Sequence, residues 1–184
     1  MKLSQIAISG VLALGMVSAA NATEGNYGKV HFYGEITESP CDLTNPEQDV
    51  YMGQISLSNL NQGLPSGMVP FKLILTNCHS STLTTTKTAF TGDAGPVVVA
   101  DSFNVAQGGV NMADVGLVIT DHREVNMDIE ASPVVKPSVT VDQAWEPFNG
   151  SHTLEFGAYL KGVTAGTATA GNFTSDVNFT IQYQ

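Results

Sequence analysis

Residues 25–34 read GNYGKVHFYG, and this stretch alternates as a β-strand does. One of its two faces carries Asn26, Gly28, Val30 and Phe32. Side chains two residues apart share a face of a strand, so this period predicts an extended segment. The stretch lies near the start of the chain, and terminal segments of a domain are loose unless something ties them down. We therefore expect another molecule to hold this strand.

The first 22 residues have the pattern of a secretory signal peptide. Lys2 precedes an almost uncharged run at 6–17, and Ala20-Asn21-Ala22 forms a small-residue cleavage site. The run is too short to span a bilayer, and no later stretch is long and apolar enough to do so. We expect an exported mature chain that starts at Thr23 and has no membrane span.

The chain is strongly acidic, with 7 Lys and Arg against 17 Asp and Glu and a formal net charge of −10. Such a surface repels a phosphate backbone, and no basic stripe interleaved with aromatic residues offsets the repulsion. We therefore expect no nucleic-acid partner.

The chain has two cysteines, Cys41 and Cys78. An exported protein meets an oxidising compartment, so a disulfide between them is expected. A metal pair is the alternative, but only His79 is close in sequence, and a tetrahedral metal site needs further ligands.

Further alternating or β-branched stretches follow along the chain, at 69–78, 84–90, 115–121, 138–141, 153–161 and 176–184. In the last of them one face carries Val177, Phe179, Ile181 and Tyr183. We also expect short strands at 50–53 and 97–100 and a surface loop at 56–67. Many short strands separated by turn residues predict an all-β sandwich. A strand at each end of the domain matters most, because an edge strand leaves a row of unpaired backbone groups.

The sequence lacks the patterns of catalytic and metal sites. Its four histidines are scattered, and none has the spacing to a second His or a Glu that metal sites on helices use. Residues 121–124 are Asp, His, Arg and Glu, side chains that can act in acid–base catalysis. A charged hairpin tip is usually only solvated, so we expect no such role for them. We find no nucleophile elbow and no phosphate-binding glycine loop. We expect no enzyme activity, no catalytic residue, no metal and no cofactor.

Behind the predicted signal peptide, five motifs follow one another along the chain: Gly28-x-Val30-x-Phe32-x-Gly34-Glu35-Ile36 leading to Cys41, Leu73-x-Leu75-x-Asn77-Cys78, Val115-Gly116-Leu117-x-Ile119-x-Asp121, Phe156-x-Ala158-Tyr159, and Phe179-x-Ile181-Gln182-Tyr183-Gln184. In this order they resemble the major structural subunits of chaperone–usher pili, the type 1 and P fimbrial family. Each motif is weak alone, but the set covers nearly the whole chain.

The resemblance implies an incomplete immunoglobulin-like sandwich that lacks its final strand and is completed in trans by a donor strand. Residues 1–22 would be the signal peptide, 23–34 the donor-strand extension and 35–184 the pilin domain. A periplasmic chaperone would fill the open groove first, and at an outer-membrane usher the extension of a neighbouring pilin subunit would replace it. Repetition builds a homopolymer, a fimbria on the cell surface that supports adhesion.

The resemblance also assigns roles to residues of this sequence. The donor face would be Asn26, Gly28, Val30 and Phe32, with Gly28 entering a shallow part of the groove. The groove would be lined by Val177, Phe179, Ile181 and Tyr183, and Gln184 would anchor the chaperone. A self-contained secreted β-sandwich that binds carbohydrate or another surface ligand is the alternative function.

Overall fold

A computed structural model of the chain describes residues 29–33, 39–122, 133–144 and 149–184. Two units divide the chain, Met1–Ile36 and Thr37–Gln184, and only residues 29–33 of the first are described. The predicted signal peptide, Asn26, Gly28 and the expected hairpin tip at 123–124 lie outside the described residues. No helix among the described residues is long and apolar enough to cross a membrane.

The second unit is built from β-strands and one short helix. In chain order the elements are β1 (Asp42–Leu43), α1 (Leu57–Asn61), β2 (Val69–His79), β3 (Thr85–Gly92), β4 (Phe103–Gln107), β5 (Val110–Asp121), β6 (Val134–Val135), β7 (Thr140–Ala144), β8 (Asn149–Gly162), β9 (Phe173–Thr174) and β10 (Val177–Tyr183). The all-β prediction is confirmed.

The strands form two antiparallel sheets. The larger has the order β1-β2-β8-β5-β4-β9, with β6 pairing to β5, and the smaller has the order β10-β3-β7. A turn at Gly108 and Gly109 joins β4 to β5, and both residues have positive φ, 59° and 81°. Glycine is favoured there because residues with a Cβ rarely adopt a backbone conformation with positive φ.

The core lies between the inner faces of the two sheets. Leu73 and Leu75 of β2 and Leu154 and Phe156 of β8 are fully buried, and Phe90 of β3 packs against this cluster from the smaller sheet. Leu73 and Leu75, and likewise Leu154 and Phe156, occupy alternate positions along their strands, as the sequence predicted. In β8 both faces are buried from Phe156 to Leu160.

The predicted disulfide is present between Cys41 and Cys78. Both residues are buried, and His79 N donates a hydrogen bond of 2.9 Å to Pro40 O beside them. The bridge therefore ties the segment before β1 to the end of β2.

Three local predictions were wrong. Residues 97–100 form a turn instead of a strand: Val99 N donates to Pro96 O at 2.8 Å, so the backbone is satisfied locally. Residues 50–53 have no strand, and Gly53 leaves the extended region with φ 75°. The expected loop at 56–67 contains α1, which begins at a Ser56 cap that accepts from Asn59 N.

Candidate functional site

β10 is one of the two outermost strands of the smaller sheet among the described residues, and β7 is the other. It pairs antiparallel with β3 along its whole length, from Val177 opposite Gly92 to Tyr183 opposite Thr86. In an antiparallel strand, alternate residues direct their N–H and C=O groups away from the partner. The far side of β10 is therefore an edge that another strand can extend.

The inward face of β10 is apolar but incompletely covered. Val177, Phe179, Ile181 and Tyr183 alternate with exposed polar residues, pack against the core and remain partly exposed. The inward residues of β8 in the other sheet, such as Leu154 and Phe156, are fully buried. The difference follows from position, because β8 lies between β2 and β5 whereas β10 has only β3 beside it.

Four phenylalanines join the two sheets at this edge, and we call Phe71, Phe90, Phe156 and Phe179 the aromatic cluster. Phe90 and Phe156 meet edge to face with centroids 4.9 Å apart and are buried. Phe71 and Phe179 both neighbour Phe90, at 6.0 and 6.4 Å between centroids, and stay partly exposed. The cluster therefore has two rings buried in the core, Phe90 and Phe156, and two rings that remain partly exposed, Phe71 and Phe179.

The residue after β10 is held firmly in place. The main-chain oxygen of Gln184 accepts hydrogen bonds from the N–H groups of Thr84 and Thr85 at 2.8 and 2.9 Å. Its own N–H donates to Thr85 O at 2.8 Å. These three bonds fix the position of Gln184 against the start of β3.

The described part of the predicted donor segment, residues 29–33, has no strand assigned. Its apolar side chains lie in solvent, with Val30 72%, Phe32 87% and Tyr33 91% exposed. The rings of His31 and Tyr33 stack with centroids 5.7 Å apart. That stack agrees with the predicted alternation, since the two rings belong to the face opposite Val30 and Phe32.

A buried polar group between the sheets was not anticipated. Asp121, expected at a solvated hairpin tip, is only 7% exposed, and Gln143 of β7 donates to its carboxylate at 3.4 Å. The hydroxyl of Thr86, opposite Tyr183, donates to Gln143 O at 3.5 Å. Asp121 has the same parity as Val115, Leu117 and Ile119, and that spacing was the signal in the sequence for its burial.

The aromatic cluster was also missed, although Phe71 and Phe156 lie in the stretches at 69–78 and 153–161 that were predicted to be strands. Their contact with Phe90 and Phe179 depends on the pairing of distant strands. Local alternation does not specify that pairing.

Two titratable residues of β8, His152 and Tyr159, have pKa values shifted by burial. Burial raises the pKa of Tyr159 and lowers the pKa of His152, because each group loses water that stabilises its charged form. Among the described residues, no group of three or more His, Cys, Asp or Glu side chains could hold a metal ion.

Comparison with known proteins agrees with this architecture. A family model described as Fimbrial protein matches residues 30–184. The Fimbria A protein of Serratia marcescens is 34% identical over 187 residues, with 100% of both chains covered. The Major MR/P fimbria protein of Proteus mirabilis (strain HI4320) is 33% identical over 189 residues, again with 100% of both chains covered.

Among solved structures, the chain is similar to a subunit in the structure of a chaperone–usher pilus. The TM-score is 0.64 and the identity 24%, over 90% of this chain and 100% of that one. This likeness supports the fold, and the family rests on the matches in sequence. The chain belongs to the fimbrial protein family.

Proposed function

We propose that this chain polymerises by accepting a strand from a neighbouring copy along β10, as a structural subunit of a chaperone–usher fimbria at the bacterial surface. The subunit role rests on the family match over most of the chain and on relatives matched over their whole length. One observation carries the mechanism: β10 is an outermost strand whose apolar face is partly exposed. A single added strand can both pair with its edge and cover that face.

The donor is residues 23–34 of the next copy, and its inserting face is Asn26, Gly28, Val30 and Phe32. Val30 and Phe32 are mostly exposed within their own chain, so their burial elsewhere is favourable. Backbone hydrogen bonds to β10 supply general affinity, and alternate side chains entering the groove supply specificity. The acceptor is the domain at 35–184.

Gly28 is proposed to enter a shallow part of the acceptor groove lined by Val177, Phe179, Ile181 and Tyr183. A glycine brings the donor backbone close to the groove floor, which a larger residue would prevent. This assignment sets the phase of the donor, with two apolar side chains following Gly28 on the same face.

Before assembly the open edge needs a temporary strand, because exposed edges pair with other chains and aggregate. We assign this role to a periplasmic chaperone. After removal of residues 1–22, the chaperone holds the subunit and delivers it to an outer-membrane usher. Gln184 is the proposed chaperone anchor, and its three main-chain hydrogen bonds present it in a fixed position at the end of β10. The product is a homopolymer, and its role in adhesion requires no enzymatic group.

Removal of residues 23–34 tests the proposal in bacteria that assemble the fimbria. Electron microscopy should show fibres with the full chain and none with the truncated chain, because the truncated subunit accepts a strand but donates none. Abundant long fibres from the truncated chain would exclude donor-strand polymerisation.

Addition of a peptide of residues 23–34 to the truncated chain distinguishes the alternative, a closed secreted sandwich. An open groove gains stability from the peptide because the ligand binds only the folded state. A closed sandwich shows no change in its unfolding midpoint. The scrambled peptide of the same composition is the control.

A further inference from the structure

The turn after β3 exposes valine side chains to an unusual degree. Val97 is 97% exposed and Val98 63% exposed, and Val139, before β7, is 50% exposed. The run from 94 to 100 has no charged residue, although the chain as a whole carries a formal net charge of −10. Single exposed apolar residues are common, whereas adjacent ones indicate an interaction surface.

Val97 and Val139 line one continuous depression of about 370 Å³, whose lining joins residues 94–97 and 99–102 to Lys136, Pro137 and Val139. Val98 does not line it but is the exposed residue next to Val97. The charged residues in the lining are Asp101 and Lys136, whose side chains pair at 3.6 Å. The surface is thus an apolar centre with a neutral ion pair, the arrangement of many protein interfaces. We call it the valine patch.

The turn is built to present these side chains. Val99 points inward, is 3% exposed, and packs on Val118 and Tyr159. Ser102 Oγ donates to Val99 O at 2.6 Å. A Cβ on Gly95 would collide with Ser102 Oγ, so close packing anchors the base of the turn. With Val99 held inside, the two preceding valines project outward.

We propose that the valine patch binds a second copy of this chain in the assembled fibre, at a contact separate from the donor strand. Elsewhere the acidic surface makes two copies repel each other, whereas the patch is uncharged apart from its balanced ion pair. An uncharged apolar surface is where like-charged copies can approach and exclude water.

The position of the patch fits this partner. The turn leaves β3 after Gly92, which pairs with Val177 at the start of β10. The valine patch thus lies on the turn that continues directly from β3, the strand paired with β10, and we take the copy held at the β10 edge as its occupant for that reason. This step rests on the proposed function, since it takes the β10 edge as the site of assembly.

Photo-crosslinking in assembled fibres tests the contact directly. Benzoylphenylalanine placed at Val98 of the full chain should crosslink to a second copy, with the linked peptides identified by mass spectrometry. Adding Val97→Asp should lower the yield at least about tenfold, because an unpaired carboxylate would be buried in the contact. The matched control is Val110→Asp at the exposed first residue of β5, which should leave the yield unchanged.

The outcomes separate the two proposals. Fibres without a copy-to-copy crosslink from position 98, or a yield that Val97→Asp leaves unchanged, overturn the valine patch and leave donor-strand assembly intact. If the Val97→Asp chain assembles no fibre, the valine patch is tested by the crosslink from position 98 in fibres without that substitution. A crosslink to a second copy supports the patch, and its absence overturns the patch. Normal fibres from the chain that lacks residues 23–34 contradict donor-strand assembly instead.

Discussion

Substitution of Phe32 by alanine in the donor peptide should weaken its binding to the acceptor groove by about thirtyfold. Phe32 is 87% exposed in its own chain, so nearly the whole ring would leave water on insertion. Burying a phenylalanine side chain is worth about 1.5–3 kcal/mol, of which alanine keeps the part due to one methyl group. A loss of about 2 kcal/mol corresponds to about a thirtyfold change in affinity.

The neighbouring Tyr33 supplies a matched control. It is also aromatic and is 91% exposed, but alternation places it on the opposite face of the donor. Removal of its ring should therefore cost much less binding. Comparison of Phe32→Ala with Tyr33→Ala isolates the inserted face from general hydrophobicity and from peptide length.

Scanning calorimetry measures both changes on the chain that lacks residues 23–34, refolded with each peptide in excess. At equal concentration, a thirtyfold weaker peptide stabilises the fold by about 2 kcal/mol less, which lowers the unfolding midpoint by about 4–8 °C. The Tyr33→Ala peptide should match the natural one to within about 2 °C. Equal midpoints with the natural and Phe32→Ala peptides, or an equal loss with Tyr33→Ala, would refute the proposed inserting face.

Three further predictions concern single features. Gly28→Trp in the donor peptide should abolish the gain in midpoint, because an indole cannot enter a shallow groove; an undiminished gain in the same calorimetric assay contradicts the placement of Gly28. Replacing Cys41 and Cys78 by alanine should lower the free energy of unfolding by about 4 kcal/mol, given their separation of 37 residues, and urea denaturation against the oxidised chain checks it. Burial lowers the pKa of His152 below 6.5, so the unfolded chain binds its proton more readily and stability should fall as pH drops below about 6.5. His152→Gln should flatten that dependence of the urea midpoint, and an unchanged slope would exclude His152 as its cause.

Alternation predicted β2, β8 and β10 within a few residues. In β10 the apolar, partly buried residues alternate with exposed polar ones, so the period of two is visible in the sequence. In β8 the large apolar side chains Leu154, Phe156 and Leu160 keep the same period, although both faces are buried from Phe156 to Leu160. The strand predicted at 97–100 was wrong because that run does not alternate. An unbroken apolar run is compatible with a buried strand or with an apolar turn, and only Val99 of that run is buried.

The short helix and the aromatic cluster were beyond local patterns for different reasons. α1 has five residues, too few for a helical period to be recognised. Phe71, Phe90, Phe156 and Phe179 lie on four strands, and their contact requires a pairing of sheets that alternation leaves open. The inward face of each strand could be predicted, but the neighbour of each side chain could not.

The contrast between β8 and β10 shows why the sequence predicted only part of the candidate site. Both strands carry apolar residues at alternate positions, yet Phe156 is fully buried and Phe179 stays partly exposed. Sheet order makes the difference, because β8 has two neighbours and β10 has one. Alternation identifies a face that needs covering, and only topology reveals which face lacks its cover.

That missing cover bears on the form of the assembly. Under the proposed function, the chain carries a strand that its own domain does not use, around Val30 and Phe32, and an edge that needs one, along β10. Two different surfaces of identical copies then meet, which makes the interface heterologous. A heterologous interface that does not close into a ring continues without limit and gives a fibre. The fibre therefore follows from the missing second neighbour of β10, which also leaves Phe179 partly exposed. A second contact at the valine patch would then limit the angle between successive copies, because a copy held at two points rotates less freely than one held by a strand alone.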